Sequence, residues 1–384
     1  MPPQKKRTAD AKNGGDSSKA TSSAKSKGSS TKSQRVVAIT AVDGHTGSSL
    51  VELLLSDSDF DGKFAKVVGL TFGEPGPDAK DILDEYQVET MPVDGMDEDK
   101  LKELGVDTLC LIPPASKDKL ALVKQVLELG KKAKSVKNLV FVSSAGCDYA
   151  ERDKQPHLRE FIDLEVLAMA PKSDPSTEET GHSPCIVRPG FYLENLLLYS
   201  KQAQADGMLP IPVDENHKFA PVRPLATLPA AEADALTSPQ REQVALGDVC
   251  LLLAKILTSE GPHGLADEVR GSMIPLTGPQ MTAGPELAEA ASQALGAPLK
   301  FHSVREAEAK KILQGPQGKE LDDSEKAYLL EYYSLVREGK TNYVAGRPTF
   351  RAVTGQDLTE PAAFFEAYKD SFARKKRRTS KKDE

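Results

Sequence analysis

The chain has 384 residues, 39% of them hydrophobic, enough for one large α/β domain or two modest ones with a buried core. Its formal net charge of −7 hides basic ends: residues 1 to 34 carry +6 and residues 374 to 384 carry +5, leaving −18 on residues 35 to 373. An acidic body excludes a nucleic-acid groove, which needs basic surface, so nucleic acid would be met only non-specifically through the tails.

In chain order, residues 1 to 34 are a lysine- and serine-rich tract with no aromatic residue, predicted disordered and without an apolar signal region. "RVVAIT" predicts a strand, "SSLVELLLSD" a helix, and "AKVVGLTF" and "DTLCLIPP" two further strands. "KDKLALVKQVLELG" predicts a helix capped by Gly130, and "NLVFVSSAG" a strand that is apolar on both faces. Strands alternating with helices, and too apolar to face water, predict an α/β fold with a doubly wound parallel sheet of the Rossmann kind. After residue 190 the pattern changes. Pro210 to Pro224 reads as a proline-rich loop, "VALGDVCLLLAKIL" as a strand end running into a helix, and "PELAEAASQALG" as a helix stopped by Gly296. The division expected is a basic tail (1–34), a dinucleotide-binding part (35–190), a smaller, mainly helical C-terminal substrate region (191–372) and a second basic tail (373–384). The longest apolar runs fall short of the roughly 18 residues of a membrane span, so no membrane role is expected. Cys110, Cys147, Cys185 and Cys250 lie far apart without paired spacing, which predicts buried reduced thiols and no metal site.

The stretch "AVDGHTGSS", 41 to 49, follows a strand and precedes a helix. In that position glycines let a pyrophosphate approach the backbone while the first helical amides face the anion. Gly44 and Gly47 have the spacing of the second and third glycines of such a loop, with Ala41 in place of the first. A plain strand-to-helix turn would tolerate the same residues. Asp43 puts a negative charge where an anion would sit.

"IVRPGFYLENLLLY" (186–199) resembles the signature of the NmrA-like family, atypical short-chain dehydrogenases with an NAD(P)-binding Rossmann domain. The resemblance continues through "VDGMDEDKLKEL", "LCLIPP", "VFVSSAG", "PHLREFIDLEVL", "LGDVCLLLAKIL" and "IPLTGPQMTAGPELAEAASQALG" to "VTGQDLTEPAAFFEAY", nearly everything between the tails. It implies NADP or NAD as cofactor. Ala41, Gly44, Thr46 and Gly47 would form the phosphate loop, and Thr71 with Phe72 would lie beside the adenosine ribose. Asp94 would sit near adenine, Pro113 and Pro114 beneath the ribose, and Ser143 and Ser144 facing the nicotinamide. Pro189, Gly190, Phe191 and Asn195 would close the crevice, and Phe161 would take the position of a lysine. Members that prefer NADP usually carry arginine where this chain has Phe72. No acid stands there either, so the preference stays open.

Candidate catalytic groups are weak. Tyr149 is followed by Lys154, a five-residue step that on a helix would turn the lysine roughly 140° away. His157 fits the family's histidine position but also suits a cap or a surface residue. Phe161 at helical spacing with Leu158, Ile162 and Met169 suits core packing, so the family lysine is missing. These features together predict a dinucleotide-binding, redox-sensing or protein-interaction protein with little or no turnover, a transcription factor being one partner class. The alternative is an NAD(P)H-dependent reductase of a quinone or small carbonyl. A bulky residue at Gly47 is expected to block the phosphate loop without unfolding the sheet. "PPQKKR" and "RKKRR" read as nuclear addresses or solubilising tails, giving a nuclear and/or cytoplasmic protein. Deleting 1–34 with 374–384 should shift a fluorescent fusion from nucleus to cytoplasm; an unchanged distribution would leave the tails as solubilising chains.

Overall fold

The computed structural model describes residues 35–170, 183–222, 247–319 and 321–374. Its first half is β1 (Val36–Thr40), α1 (His45–Ser56), β2 (Lys66–Thr71), α2 (Pro77–Glu85), β3 (Glu89–Pro92), α3 (Glu98–Glu103), β4 (Thr108–Leu111), α4 (Lys119–Lys132), β5 (Asn138–Val142) and α5 (Pro156–Met169). Then follow β6 (Cys185–Pro189), α6 (Ser200–Asp206), β7 (Met208–Ile211), β8 (Lys218–Phe219), α7 (Asp248–Leu257), β9 (Met273–Leu276), β10 (Thr282–Ala283), α8 (Gly284–Leu295) and β11 (Lys300–Ser303). Five helices end the described chain: α9 (Glu306–Leu313), α10 (Asp323–Arg337), α11 (Arg347–Thr354), α12 (Pro361–Ala367) and α13 (Lys369–Phe372).

Seven strands form one sheet in the order β3-β2-β1-β4-β5-β6-β9, every neighbouring pair parallel. This is the doubly wound Rossmann-like sheet that the alternation predicts. Successive side chains of a strand point to opposite faces, so both faces must be covered. Ala38, Leu109, Leu139, Phe141 and Ile186 face a layer built from α4, α5 and α10. Val37, Ile39, Cys110, Val140, Val142 and Val187 face α1, α7 and α11. The four cysteines are free and buried. No described helix is long and apolar enough to cross a membrane.

Chain order reverses between β1 and β4, so the connections after them leave on opposite faces and open a crevice at the strands' carboxyl ends. Thr40 ties the two strands at this point: its Oγ1 donates to the Ile112 carbonyl at 2.8 Å and accepts the Ile112 amide at 2.8 Å.

Two expectations need correction. Gly130 does not end α4, which continues to Lys132. It lies buried inside the helix because α4 crosses β4 closely, where an added Cβ would press Leu109 at 3.1 Å. The segment expected as a proline-rich loop begins with the last two residues of β7, paired parallel with β11, and contains β8, paired antiparallel with β10. Pro210 is tolerated in β7 because that strand belongs to a two-stranded sheet. The chain from Arg223 to Pro224 lies outside the described residues, as do Val244, Ala245 and Leu246 before α7 and both predicted tails up to residue 34 and beyond Arg374.

At the β1–α1 turn Ala41 adopts φ +53°, the left-handed conformation a glycine would take freely, at a cost of about 1–2 kcal/mol for an L residue. Gly47 is fixed by packing: an added Cβ would lie 2.2 Å from the Ala41 carbonyl oxygen and 2.9 Å from the Val42 Cα. Any side chain there strikes backbone, so the separation of binding from folding expected at Gly47 does not hold. Gly47→Ala should cost about 1–3 kcal/mol, the scale of forced overpacking. An unchanged urea midpoint would show that α1 shifts freely.

Candidate active site

A cavity of about 180 Å³ lies in the crevice. Of the residues predicted to contact a cofactor, Thr46, Pro113, Pro114, Ser143, Phe161, Pro189, Gly190, Phe191 and Asn195 all line it. They arrive from the first turn of α1, from the loops after β4 and β5, from the end of β6 and the segment after it, and from α5. Ala41, Gly44 and Gly47 form the turn beside Thr46 but do not line the cavity. Thr71 ends β2, with half-buried Phe72 after it, and Asp94 is exposed beyond β3.

Asp43 has a local structural explanation. Its carboxylate accepts the backbone amides of Phe72 at 3.2 Å and Gly73 at 2.9 Å, stapling the turn after β1 to the end of β2.

Ser143 and Ser144 leave β5 in different directions. Ser143 Oγ donates to Glu165 Oε1 at 2.5 Å, and Glu165 is almost fully buried. Arg188 grips the same carboxylate through Nε at 2.8 Å and Nη2 at 2.6 Å, a two-point pairing that a planar guanidinium supports. Beside them the Cys147 thiol is pushed up to about 12, first by burial and then by the Glu165 charge, so it stays protonated. Ser144 Oγ lies 2.8 Å from the Tyr328 hydroxyl. Burial pushes the Tyr328 phenol up to about 12, against the Ser144 hydrogen bond, so at neutral pH it remains a hydrogen-bond donor.

The two catalytic candidates stand outside the cavity. Tyr149 is half exposed at the end of a single 3₁₀ turn, Cys147–Tyr149, and α5 begins only at Pro156. The helical step assumed between Tyr149 and Lys154 is therefore absent; Lys154 instead pairs with Glu151 at 2.8 Å. His157 Nδ1 meets Glu331 at 2.8 Å, joining the start of α5 to α10.

Sequence reasoning missed Lys119, Tyr192, Glu325, Tyr328 and Tyr332, all of which line the cavity. Tyr328 and Tyr332 stand four residues apart on α10, a same-face spacing visible in "EKAYLLEYY". Their rings continue an aromatic wall: Tyr328 lies 6.0 Å from Phe161, Tyr332 lies 5.7 Å from Phe191, and Phe191 lies 5.2 Å from Phe219. Lys119 brings a cation to this wall. Its Nζ stands 4.3 Å from the centre of the Phe161 ring, so the missing lysine at 161 does not leave the cavity without positive charge.

Glu325, at the cavity edge, is raised to about 7 by burial and then by Asp322, against Lys326. The folded protein then holds a proton that the unfolded chain, near 4.5, has released. This contribution to stability is fully present below the unfolded value and is lost as pH rises through the folded one. Glu325→Gln should flatten the fall in urea midpoint between about pH 5 and 8; equal slopes in both proteins would overturn the assignment.

No protein-family model matches the chain. It is similar to NAD(P)H azoreductase of Xenophilus azovorans, 25% identical over 270 residues that cover 70% of this chain and 77% of that one. Among solved structures it resembles the Escherichia coli NADPH-dependent quinone oxidoreductase QOR2, solved with NADPH, at 18% identity and TM-score 0.61, covering 86% of this chain and 99% of that one. It also resembles NmrA, a negative transcriptional regulator solved with NAD, at 14% identity and TM-score 0.60, covering 87% and 94%. The fold is the one these solved structures share, NmrA among them, in agreement with the sequence resemblance.

Proposed function

We propose that the protein binds a nicotinamide dinucleotide across the carboxyl ends of β1, β4, β5 and β6 and reduces a flat aromatic acceptor of the quinone or azo class. One observation carries the reading: a single cavity runs from Thr46, at the start of α1, to the aromatic wall of Phe161, Phe191, Tyr328 and Tyr332. The residues present fit the cofactor. No side chain caps the start of α1, no acid stands in its first turn, and at Gly44 an added Cβ would meet only the Ala41 carbonyl oxygen at 3.5 Å. The backbone there is open to a pyrophosphate, and the first-turn amides have no carbonyl of their own helix to bond. Bound there, the reduced dinucleotide would supply a hydride. The azoreductase and quinone oxidoreductase relatives support this class of reaction.

Asp43 argues for NAD(H) over NADP(H). The end of β2 is where ribose recognition takes place, and an arginine there commonly pairs with a 2′-phosphate. Here the Phe72 and Gly73 amides already hold a carboxylate, so a phosphate would meet occupied donors and a like charge.

A second reading is a dinucleotide-responsive partner of a transcription factor or other protein, nuclear or cytoplasmic. Phe161 in the family's lysine position and the basic ends favour it.

Calorimetry should find NADH binding at least about tenfold tighter than NADPH, ~1.4 kcal/mol, with Asp43→Asn narrowing the gap. Tighter NADPH binding would overturn the preference, and no binding of either would overturn the whole reading. NADH oxidation with naphthoquinones and azo dyes then separates a reductase from a sensor.

A further inference from the structure

We propose that Lys119 is the cationic group of this cavity, receiving an anionic oxygen of a flat aromatic ligand held against Phe161. The inference rests on the reductase reading for its chemistry and on the geometry below for its location.

Lys119 opens α4, directly after the loop that carries Pro113 and Pro114 over the crevice. Its side chain is only 9% exposed and lines the cavity. The ammonium donates to the His157 carbonyl at 2.8 Å and pairs with Glu160 Oε2 at 3.1 Å, so it is held from α5 at two points. An ammonium has three N–H donors, and two protein acceptors leave one for a ligand. The Phe161 ring, 4.3 Å from Nζ, fixes the cation over an aromatic face that itself forms the cavity wall. A planar ligand resting on the wall that Phe161 and Tyr328 form together, their rings 6.0 Å apart and tilted by 58°, would come within reach of this donor.

Burying a lysine merely to join two helices is costly, since desolvation opposes the charge. That opposition is visible here: burial pulls the Lys119 ammonium below its ordinary value, with Glu160 and then Glu331 pulling it back. The chemistry that benefits is oxyanion stabilisation. Were a bound reduced nicotinamide to pass a hydride to a quinone carbonyl carbon, itself becoming oxidised, the π electron pair would move onto oxygen. That oxygen carries negative charge until water supplies a proton. A donor already fixed beside it is commonly worth about 10² to 10³ in rate. Tyr328, protonated and held by Ser144, can donate a second hydrogen bond.

The test uses the full chain with 4-nitrophenol, a flat probe whose yellow phenolate reports its own ionisation. The unaltered protein should bind the phenolate at least about tenfold tighter than the phenol, ~1.4 kcal/mol, and so lower the apparent pKa of the bound probe. Lys119→Met should lose that preference while still binding the phenol, and Lys119→Arg should keep part of it. Nitrophenolate should also shield Lys119 from acetic anhydride in the unaltered protein, a measurement that needs no variant to fold. Quinone reduction should fall by about 10² or more in Lys119→Met, and the pair Phe161→Lys with Lys119→Met should recover part of the loss. A folded Lys119→Met protein with unchanged phenolate preference, or acetylation of Lys119 unaffected by the probe, would overturn the inference. Failure of the dinucleotide reading looks different: no NADH binding with the phenolate preference intact.

Discussion

The crevice depends on one junction, where β1 and β4 run side by side while their following loops part. Parallel strands whose successors lie on opposite faces leave a gap at their carboxyl ends, and main-chain pairing stops there. Thr40 prevents the gap from fraying, because its hydroxyl both donates to and accepts from Ile112 across it. The residue after Thr40 turns into α1, and the residues after Ile112 are the two prolines over the cavity. A hydroxyl at the end of β1 thus sets where both walls of the site begin.

The turn from β1 into α1 shows how little freedom the site has. Helix α1 approaches the strand so closely that position 47 has no room for a Cβ, and the chain reaches that approach by taking Ala41 through a left-handed conformation. Asp43 then closes the turn against β2. The strain at Ala41 is held by packing on both sides. The same carboxylate that rigidifies the loop occupies amides that another anion could use.

The fold was legible in the sequence because burial on two faces forces strands such as "NLVFV" to be apolar throughout, and their alternation with helices implies crossovers. The short strands β7 and β8 were not legible, since Pro210 and a two-residue bridge carry no periodic signal. Gly130 misled because a glycine that stops a helix and one that admits a neighbouring strand look alike in one dimension. The loops after β4, β5 and β6 could be placed at the crevice from their resemblance alone. The aromatic wall could not, because Tyr328 meets Ser144 from 184 residues away.

A sequence pattern reports which helix carries a charge, whereas a ligand responds to where the charge is. Helices α4 and α5 pack side by side over the sheet, so a long side chain from either can reach the same wall. Lys119 reaches it from α4, and the aromatic ring at position 161 on α5 becomes the surface over which its ammonium rests. A phenylalanine where a lysine is expected is then compatible with a cation still lining the cavity, and a motif's absence is weaker grounds for lost chemistry than an empty space would be. Here the space is filled by a cation, tied down by Glu160 and the His157 carbonyl from the helix that lacks the lysine.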